Sequence, residues 1–350
     1  LVLRSAIMAS LDGETDSTVR DDGDVDMKVA GTVVTAEYYV PWLAHTTMEP
    51  MTATAHFTGN TLKVWVGNQS PTATRDACAI AVGLDPSQVI IQTTMMGGSF
   101  GRRGESDFSV QAAILAKAMP STPIRMTWTR AEDIKNDFFR PAIAAQFRGV
   151  VANGKAVLVD GKIAGPSVFQ KSSLRQQGSI PPGPDRLHVE GVADQPYGIQ
   201  NFRIAGHLTD IDVPVGFWRS VGASANGFIF DTFIDELAHA AGVDPLQFRL
   251  ELTRSEHSPS ASVIDAVCEM SGWTGTTPDG IGRGVAFTHS FGTPVAIVTE
   301  VRHRRWYKDQ QMLDSCGSRR CIRPPHCRVT NDFWGNLWVV GGNPRGNHVF

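Results

Sequence analysis

One run of glycines, set between two periodic segments, constrains this chain more than any other feature. Val89-Ile90-Ile91-Gln92-Thr93-Thr94 is a β-branched, alternating stretch of strand type. Phe108, Ala112, Leu115 and Met119 then recur at spacings of three and four, which predicts a helix from about Asp107 to Met119. Between them lies Met95-Met96-Gly97-Gly98-Ser99-Phe100-Gly101-Arg102-Arg103. Strand, glycine turn and helix in that order let backbone N–H groups converge on an anion. Glycine permits close backbone approach, and two adjacent arginines can add bidentate contacts to a phosphate or oxo group. The spacing is neither G-x-G-x-x-G nor a Walker loop, so by spacing alone a plain strand–helix turn fits at least as well.

The chain has 350 residues, enough for two or three domains and a sizeable core. A formal charge of −3 leaves no basic surplus for nucleic acid. No apolar run reaches the roughly 18 residues of a membrane span. Cys78 and Cys268 have the setting of small core residues, and no cysteine spacing matches a plant-type iron–sulfur site. If electrons leave this protein, another chain carries them. The sequence begins at Leu1 without a readable signal peptide, so the N-terminus is expected to be missing and the compartment stays open.

Along the chain, the acidic stretch from Asp12 to Asp26 is expected to be a solvated loop or linker. Val33 to Val40 predicts a strand that Pro41 breaks. His45 and Glu49 stand four apart but no third metal ligand is near, which favours a hydrogen-bonded structural role. Further strands are predicted at Leu62–Val66 and at Pro123–Thr127, and a helix from about Thr74 to Val82 that Gly83 closes. Arg130, Glu132 and Asp133 form either an ion-pair network or part of a site. Strands are predicted over Val150 to Gly165, with turns at Asn153-Gly154 and Asp160-Gly161, and an exposed loop over 172–186. Phe230, Phe233, Ile234, Leu237, Ala238 and Ala241 predict an amphipathic helix closed by Gly242, with Asp244-Pro245 opening the next. Arg219, at the loop before that helix, is either an ordinary surface arginine or a cation facing substrate or cofactor. Gly282 to Phe287 and Val295 to Val298 have the pattern of strands of another domain.

The stretch Gly97-Gly98-Ser99-Phe100-Gly101-Arg102-Arg103 resembles the Gly-Gly-x-Phe-Gly loop of the molybdenum hydroxylases, the xanthine dehydrogenase and aldehyde oxidase family. Its Arg-Arg ending is similar to the isoquinoline 1-oxidoreductase β-subunit branch, which includes aldehyde dehydrogenase large subunits. Val40-Pro41-Trp42-Leu43-Ala44-His45, Met48-Glu49-Pro50-Met51, Trp128-Thr129-Arg130-Ala131-Glu132-Asp133 and Phe138-Phe139-Arg140-Pro141 agree in the same order. So do Trp218-Arg219-Ser220-Val221-Gly222 and Asp235-Glu236-Leu237-Ala238, and together the set covers residues 35–300. The resemblance implies an α+β fold, the mixed strands and helices of an incomplete molybdopterin-binding domain. In that reading 1–34 ends a preceding domain, 35–255 is a first molybdopterin-binding domain and 256–301 starts a second. The implied cofactor is molybdopterin cytosine dinucleotide, whose metal is held through the pterin, so no protein ligand to the metal is expected. The implied reaction is hydroxylation of an aldehyde or N-heterocycle with water-derived oxygen. Electrons then pass to a small [2Fe-2S] subunit, with a cytochrome c as a further partner. Gly97, Gly98, Phe100 and Gly101 would contact the cofactor, Arg102 and Arg103 would meet anionic groups, and Gln69, in a similar Gln-x-Pro, would be a further contact. Arg219, in an Arg-x-x-Gly loop, would face substrate. Purine-oxidising relatives have a glutamine where this chain has Leu43 and a glutamate where it has Gly104, which argues against purines.

After Val301 the character changes. The last 49 residues hold nine of the 32 Lys and Arg but only three of the 35 Asp and Glu, and no amphipathic period survives. Cys316, Cys321, His326 and Cys327 lack the paired short spacings of a zinc site. An out-of-frame reading of 302–350 explains more. Back-translation of Thr330 to Gly335, Leu337 to Gly342 and Gly346 to Phe350, read one base later, permits Gln-Met-Thr-Ser-Gly, Gly-Leu-Ser-Ala-Ala and Gly-Glu-Ile-Thr-Phe. That string resembles the family segment carrying its general-base glutamate, whose codon would straddle Gly346 and Asn347 untranslated. The tail is expected to be irregular, with only the β-prone Leu337-Trp338-Val339-Val340 able to pair. An intact enzyme subunit and an inactive fragment that retains partner or cofactor binding both fit.

Overall fold

The computed structural model describes residues 2–302 and the backbone of 335–341. The chain opens with helix α1 (Val2–Ser10) and strands β1 (Ser17–Asp22), β2 (Thr32–Val40), β3 (Thr52–Thr58) and β4 (Thr61–Val66). Helix α2 (Pro71–Val82) leads to β5 (Val89–Thr93), then α3 (Asp107–Ala118), β6 (Ile124–Thr127) and α4 (Arg130–Lys135). Next come β7 (Ile143–Ala152), β8 (Lys155–Gly165), α5 (Val168–Gln177), α6 (Arg186–Val189) and β9 (Asn201–Leu208). The last part holds α7 (Ala223–Ala241), α8 (Pro245–Arg254), α9 (Ser258–Ser271), β10 (Ile281–Ser290), β11 (Thr293–Arg302) and β12 (Gly335–Gly341).

Three sheets result, with strand orders β5-β4-β3-β6, β1-β9-β8-β7-β2 and β10-β11-β12. In the first, Leu62, Val64 and Val66 alternate onto the buried face of β4 and pack with Cys78, Ala79 and Val82 of α2 and Phe108, Ala112 and Ala116 of α3. Pro71 starts α2 where its missing N–H costs nothing, and Gly83 ends it at φ 66°. β4 and β5 run parallel with α2 as their crossover, so the glycine loop leaves the carboxyl end of β5. The second sheet puts Phe147, Val159, Ile163, Phe202 and Ile204 against Phe230, Phe233, Ile234 and Leu237 of α7. Asp244 caps α8 by accepting from Leu246 N–H and Gln247 N–H at 3.0 Å each, as expected for an Asp-Pro start.

Several expectations need correction. The acidic entry segment is not simply a linker: Ser17–Asp22 completes the five-stranded sheet as the antiparallel partner of β9, and Ile7 and Leu11 cover Ala144 and Ala164. Its carboxylates mislead because this edge strand is half exposed, so backbone pairing suffices to hold it. Asn153-Gly154 is the β7–β8 turn, with φ of 52° and 76°, whereas Asp160-Gly161 lies inside β8. There Gly161 makes room for the Phe147 ring. The first six residues of the predicted loop at 172–186 belong to helix α5, started by Ser167, whose hydroxyl accepts from Gln170 N–H at 2.9 Å. The hairpin β10–β11 forms its own sheet, yet Val285, Phe287, Ala296 and Val298 join the core around α7, α8 and α9. Buried Arg249 reinforces the join: it pairs with Asp231 at 2.9 Å and Asp235 at 2.6 Å, and Asp231 also accepts from Phe287 N–H at 3.2 Å.

Within the tail, β12 pairs antiparallel with β11, Trp338 opposite Val298, so the β-prone segment is a strand. The cysteines at 316, 321 and 327 and the codons at Gly346 and Asn347 lie outside the described residues. Among the described residues no helix is long and apolar enough to cross a membrane.

Candidate functional site

The glycine loop is held from below and open above. Glu49 anchors its start: Gly97 N–H donates to Glu49 Oε2 at 2.9 Å, and Glu49 N–H donates to the Gly97 carbonyl at 3.0 Å. Arg103 is fully buried and gives Nη2 to Glu49 Oε2 at 2.8 Å and Nε to the Gly98 carbonyl at 2.9 Å. Arg102 is buried beside it, in a two-pronged pair with Asp107 at 2.9 and 2.7 Å and an ion pair to Asp137 at 3.2 Å. Burial opposes the charge on Arg102, but Asp107 and Asp137 outweigh it and raise its pKa. For Arg103 burial wins over Glu49 and the pKa is lowered.

Both arginines thus differ from the sequence expectation. Their anionic partners are the protein's own carboxylates, and they brace the loop from within. The short helical turn Arg102–Gly104 carries both: Arg102 reaches Asp107 at the start of α3 and Asp137, while Arg103 reaches back to Glu49 and the Gly98 carbonyl. Gln69 is exposed, donates its backbone N–H to the Arg103 carbonyl at 2.9 Å and accepts from the Ser99 hydroxyl. It too supports the loop.

The loop's own backbone N–H groups are left. The N–H groups of Gly98, Ser99, Phe100 and Gly101 donate to no group among the described residues. Gly98 and Gly101 have φ of 100° and 110°, and Phe100 takes φ 57°, which an L-residue adopts only when its surroundings enforce it. Four successive backbone donors at a bent turn are thus without a partner among the described residues, the kind of feature from which anion-binding concavities are made.

A second loop, 217–222, docks on the first. Arg219 N–H donates to the Phe100 carbonyl at 2.9 Å, and a Cβ on Gly101 would run into the Phe217 carbonyl oxygen. This loop is strained as well, with Ser220 at φ 67° and Val221 at φ 47°. Arg219 is exposed, and its guanidinium carbon stands 5.5 Å from the centre of the Phe100 ring. Phe100 stacks on Trp218 at 6.4 Å, and Trp218 stacks on His45 at 4.6 Å. Across a cleft of about 690 Å³ from Trp218, Arg219 and Ser220 are Ser290, Phe291 and Thr293 of the β10–β11 hairpin. Phe291, at the hairpin tip with φ 49° and 68% exposed, was not anticipated from sequence, nor were Trp218 and Asp137. A Phe-Gly pair between two strand patterns was the available signal for Phe291. On the inner side of the same loop Trp218, Val221 and Gly222 wall a second cavity of about 30 Å³, room for a water-sized molecule only. Among the described residues no group of three or more His, Cys, Asp or Glu could hold a metal ion.

The glycine loop thus stands at the carboxyl end of a parallel strand pair, beside a cleft lined by Arg219. The chain belongs to the molybdopterin cofactor-binding domain family, whose model matches residues 11–251. Among curated relatives it is 28% identical over 264 residues to a nicotinate dehydrogenase component of Pseudomonas putida, covering 73% of this chain and 22% of that protein. It is 29% identical over 274 residues to the beta chain of isoquinoline 1-oxidoreductase of Brevundimonas diminuta, covering 74% and 33%. The chain therefore spans between about a fifth and a third of these relatives' length. Among solved structures, the aldehyde oxidoreductase of Desulfovibrio gigas matches with a TM-score of 0.62 at 18% identity, over 80% of this chain and 32% of that one. Quinoline 2-oxidoreductase of Pseudomonas putida 86 matches at 0.61 and 17%, over 84% and 41%.

Proposed function

We propose that this chain is the molybdopterin-binding part of an oxidoreductase that hydroxylates an aldehyde or an N-heterocycle with water-derived oxygen. The observation that carries the reading is the row of free N–H groups from Gly98 to Gly101, at a strained turn beside the Arg219 cleft. These donors would hold an anionic edge of the cofactor, the Phe100 ring would pack against it, and Gly97 serves by letting the loop close on Glu49. Arg102 and Arg103 are reassigned to support. When bound, the molybdenum–pterin group supplies a two-electron redox centre. The chain's residues bind and orient, and Arg219 meets the substrate's electron-rich atoms across the Phe100 ring. The relatives' names, an isoquinoline and a nicotinate enzyme among them, favour the N-heterocycle class. The cytosine dinucleotide form of the cofactor, the small [2Fe-2S] subunit and a cytochrome c as electron partners belong to the same proposal.

The out-of-frame reading of the tail favours a second possibility: a fragment that binds cofactor or partner without turnover. A missing general base removes about 10²–10⁴-fold in rate. Co-expression with a small iron–sulfur subunit tests both readings. Molybdenum and acid-released cytidine nucleotide near one per chain support cofactor binding, and absence of both refutes it. Turnover of aldehydes with a dye acceptor refutes the fragment. Resequencing around the codons for Glu300 to Arg305 decides whether a base is missing from the read or from the gene.

A further inference from the structure

The buried end of the site joins Asp137, the partner of Arg102, to His45. His45 and Asp137 are each 3% exposed, although 92 residues separate them. Asp137 Oδ2 accepts the His45 backbone N–H at 2.6 Å, and Oδ1 faces the ring Nδ1 at 2.9 Å. On the other side of the imidazole, Nε2 stands 2.9 Å from the Phe217 carbonyl oxygen. A carbonyl only accepts, so Nε2 is the donor there. That carbonyl is the group packed over the bare face of Gly101. The Phe217 peptide is thus clamped between His45 and the glycine loop, immediately before Trp218, Arg219 and the strained turn of Ser220 and Val221. Residues in such conformations persist only where the surroundings over-determine them. The rings continue the clamp: imidazole on indole at 4.6 Å, indole on phenyl at 6.4 Å, guanidinium on phenyl at 5.5 Å. One stack runs from the buried His45–Asp137 pair to an exposed cation.

We propose that His45, held by Asp137, is a positioning residue that fixes the Trp218–Arg219 turn through the Phe217 carbonyl and the ring stack, and thereby sets where the Arg219 cation stands at the cleft. Only the functional consequence rests on the proposed role of Arg219; the mechanical claim does not.

Two substitutions separate the two sides of the imidazole. In His45→Asn the side-chain amide takes the place of Nδ1, keeping Asp137 and losing Phe217; in His45→Gln it takes the place of Nε2, with the reverse result. Amide hydrogen exchange on the 350-residue chain should then show the Arg219 and Val221 N–H groups exchanging at least tenfold faster in His45→Asn. In His45→Gln they should stay within about threefold of wild type, and Leu237 in α7 should be unchanged in both. A purely structural histidine predicts the opposite order, since Asn preserves the buried carboxylate pair. Equal protection in wild type and His45→Asn, or Gln as loose as Asn, overturns the proposal. If either variant loses α7 protection, Trp218→Leu is read at the same two amides, and unaltered exchange there also overturns it. In a cofactor-loaded complex, His45→Asn and Arg219→Ala should each raise KM, while the double variant should be no worse than Arg219→Ala alone. Additive effects would break the link to Arg219. A chain that takes up no molybdenum refutes the functional reading and leaves the exchange result standing.

Discussion

Gly101→Ala tests the docking of the two loops with a single methyl group. Gly101 has φ 110° and ψ −28°, which costs an L-residue roughly 1–3 kcal/mol. Its new Cβ would also overlap the Phe217 carbonyl oxygen, backbone that cannot swing aside as a side chain can. Overpacking of that kind costs typically about 1–3 kcal/mol, so the sum is about 2–6 kcal/mol. Gly104→Ala, three residues on, is the control: no atom lies within 4 Å of its Cβ position, and the change should stay within about 0.5 kcal/mol. Urea unfolding followed by tryptophan fluorescence reads both, with m near 1–3 kcal/mol/M placing the Gly101→Ala midpoint on the order of 1 M lower or more. If loop 217–222 undocks instead, the midpoint moves less and the Arg219 amide loses protection. Coincident midpoints with Arg219 fully protected would refute the docked arrangement. Gly101→Val should also abolish molybdenum uptake while the fold stays intact, and wild-type molybdenum content in that variant would leave the loop a plain turn.

Arg102→Met leaves Asp107 and Asp137 without their shared cation and should cost about 3–5 kcal/mol in the same urea assay, with no recovery in Arg102→Lys, which cannot make the two-pronged pair. A cost under 1 kcal/mol would mean Arg102 is free for a ligand. Burial holds the His188 imidazole below its ordinary value, so the unfolded chain binds a proton near pH 6.5 that the folded chain refuses. Its stability contribution is full above that pH and is lost as pH falls through the folded value, at up to about 1.4 kcal/mol per unit. His188→Gln should therefore flatten the fall in stability between pH 7 and 5, and identical slopes would count against it. The Cys78 thiol is fully buried and pushed up to about 12 by that burial, so it should resist thiol reagents at pH 8 until the chain unfolds. Labelling at the rate of a free thiol would contradict its place on the buried face of α2.

The α+β character and most elements were legible because local pattern decided them. Strand β5, helix α3, the Gly83 and Gly242 closures and the Asp244-Pro245 start all follow from spacing and caps within a few residues. The site was legible as a loop but not as an arrangement. Two arginines beside a glycine turn look alike whether they face a ligand or a carboxylate, and Asp107, Asp137 and Glu49 that claim them come from three separate stretches. His45 and Glu49 stood out by spacing, but no helix joins them: His45 serves the Phe217 loop, and Glu49 the Gly97 loop. Strand β1 was hidden because a half-exposed edge strand needs little apolar surface, and its partner lies far along the chain.

That separation has a consequence for how the molecule is made. Ser17 pairs with Gly206 and Thr32 with Val151, so β1 and β2 have no partner until well over a hundred further residues have been made. At about 5–20 residues per second, Ser17 waits roughly 10–40 s for Gly206. Meanwhile β3, β4 and β5 with α2 and α3 can assemble from neighbouring sequence and finish with the glycine loop already turned. Non-local pairings of this kind fold slowly. The glycine loop is thus built early, on the unit completed first, while the arginine beside it arrives with the second sheet. Charged residues on an unpaired edge strand oppose its pairing with other chains, which gives the exposed acidic residues around β1 a use while that strand waits.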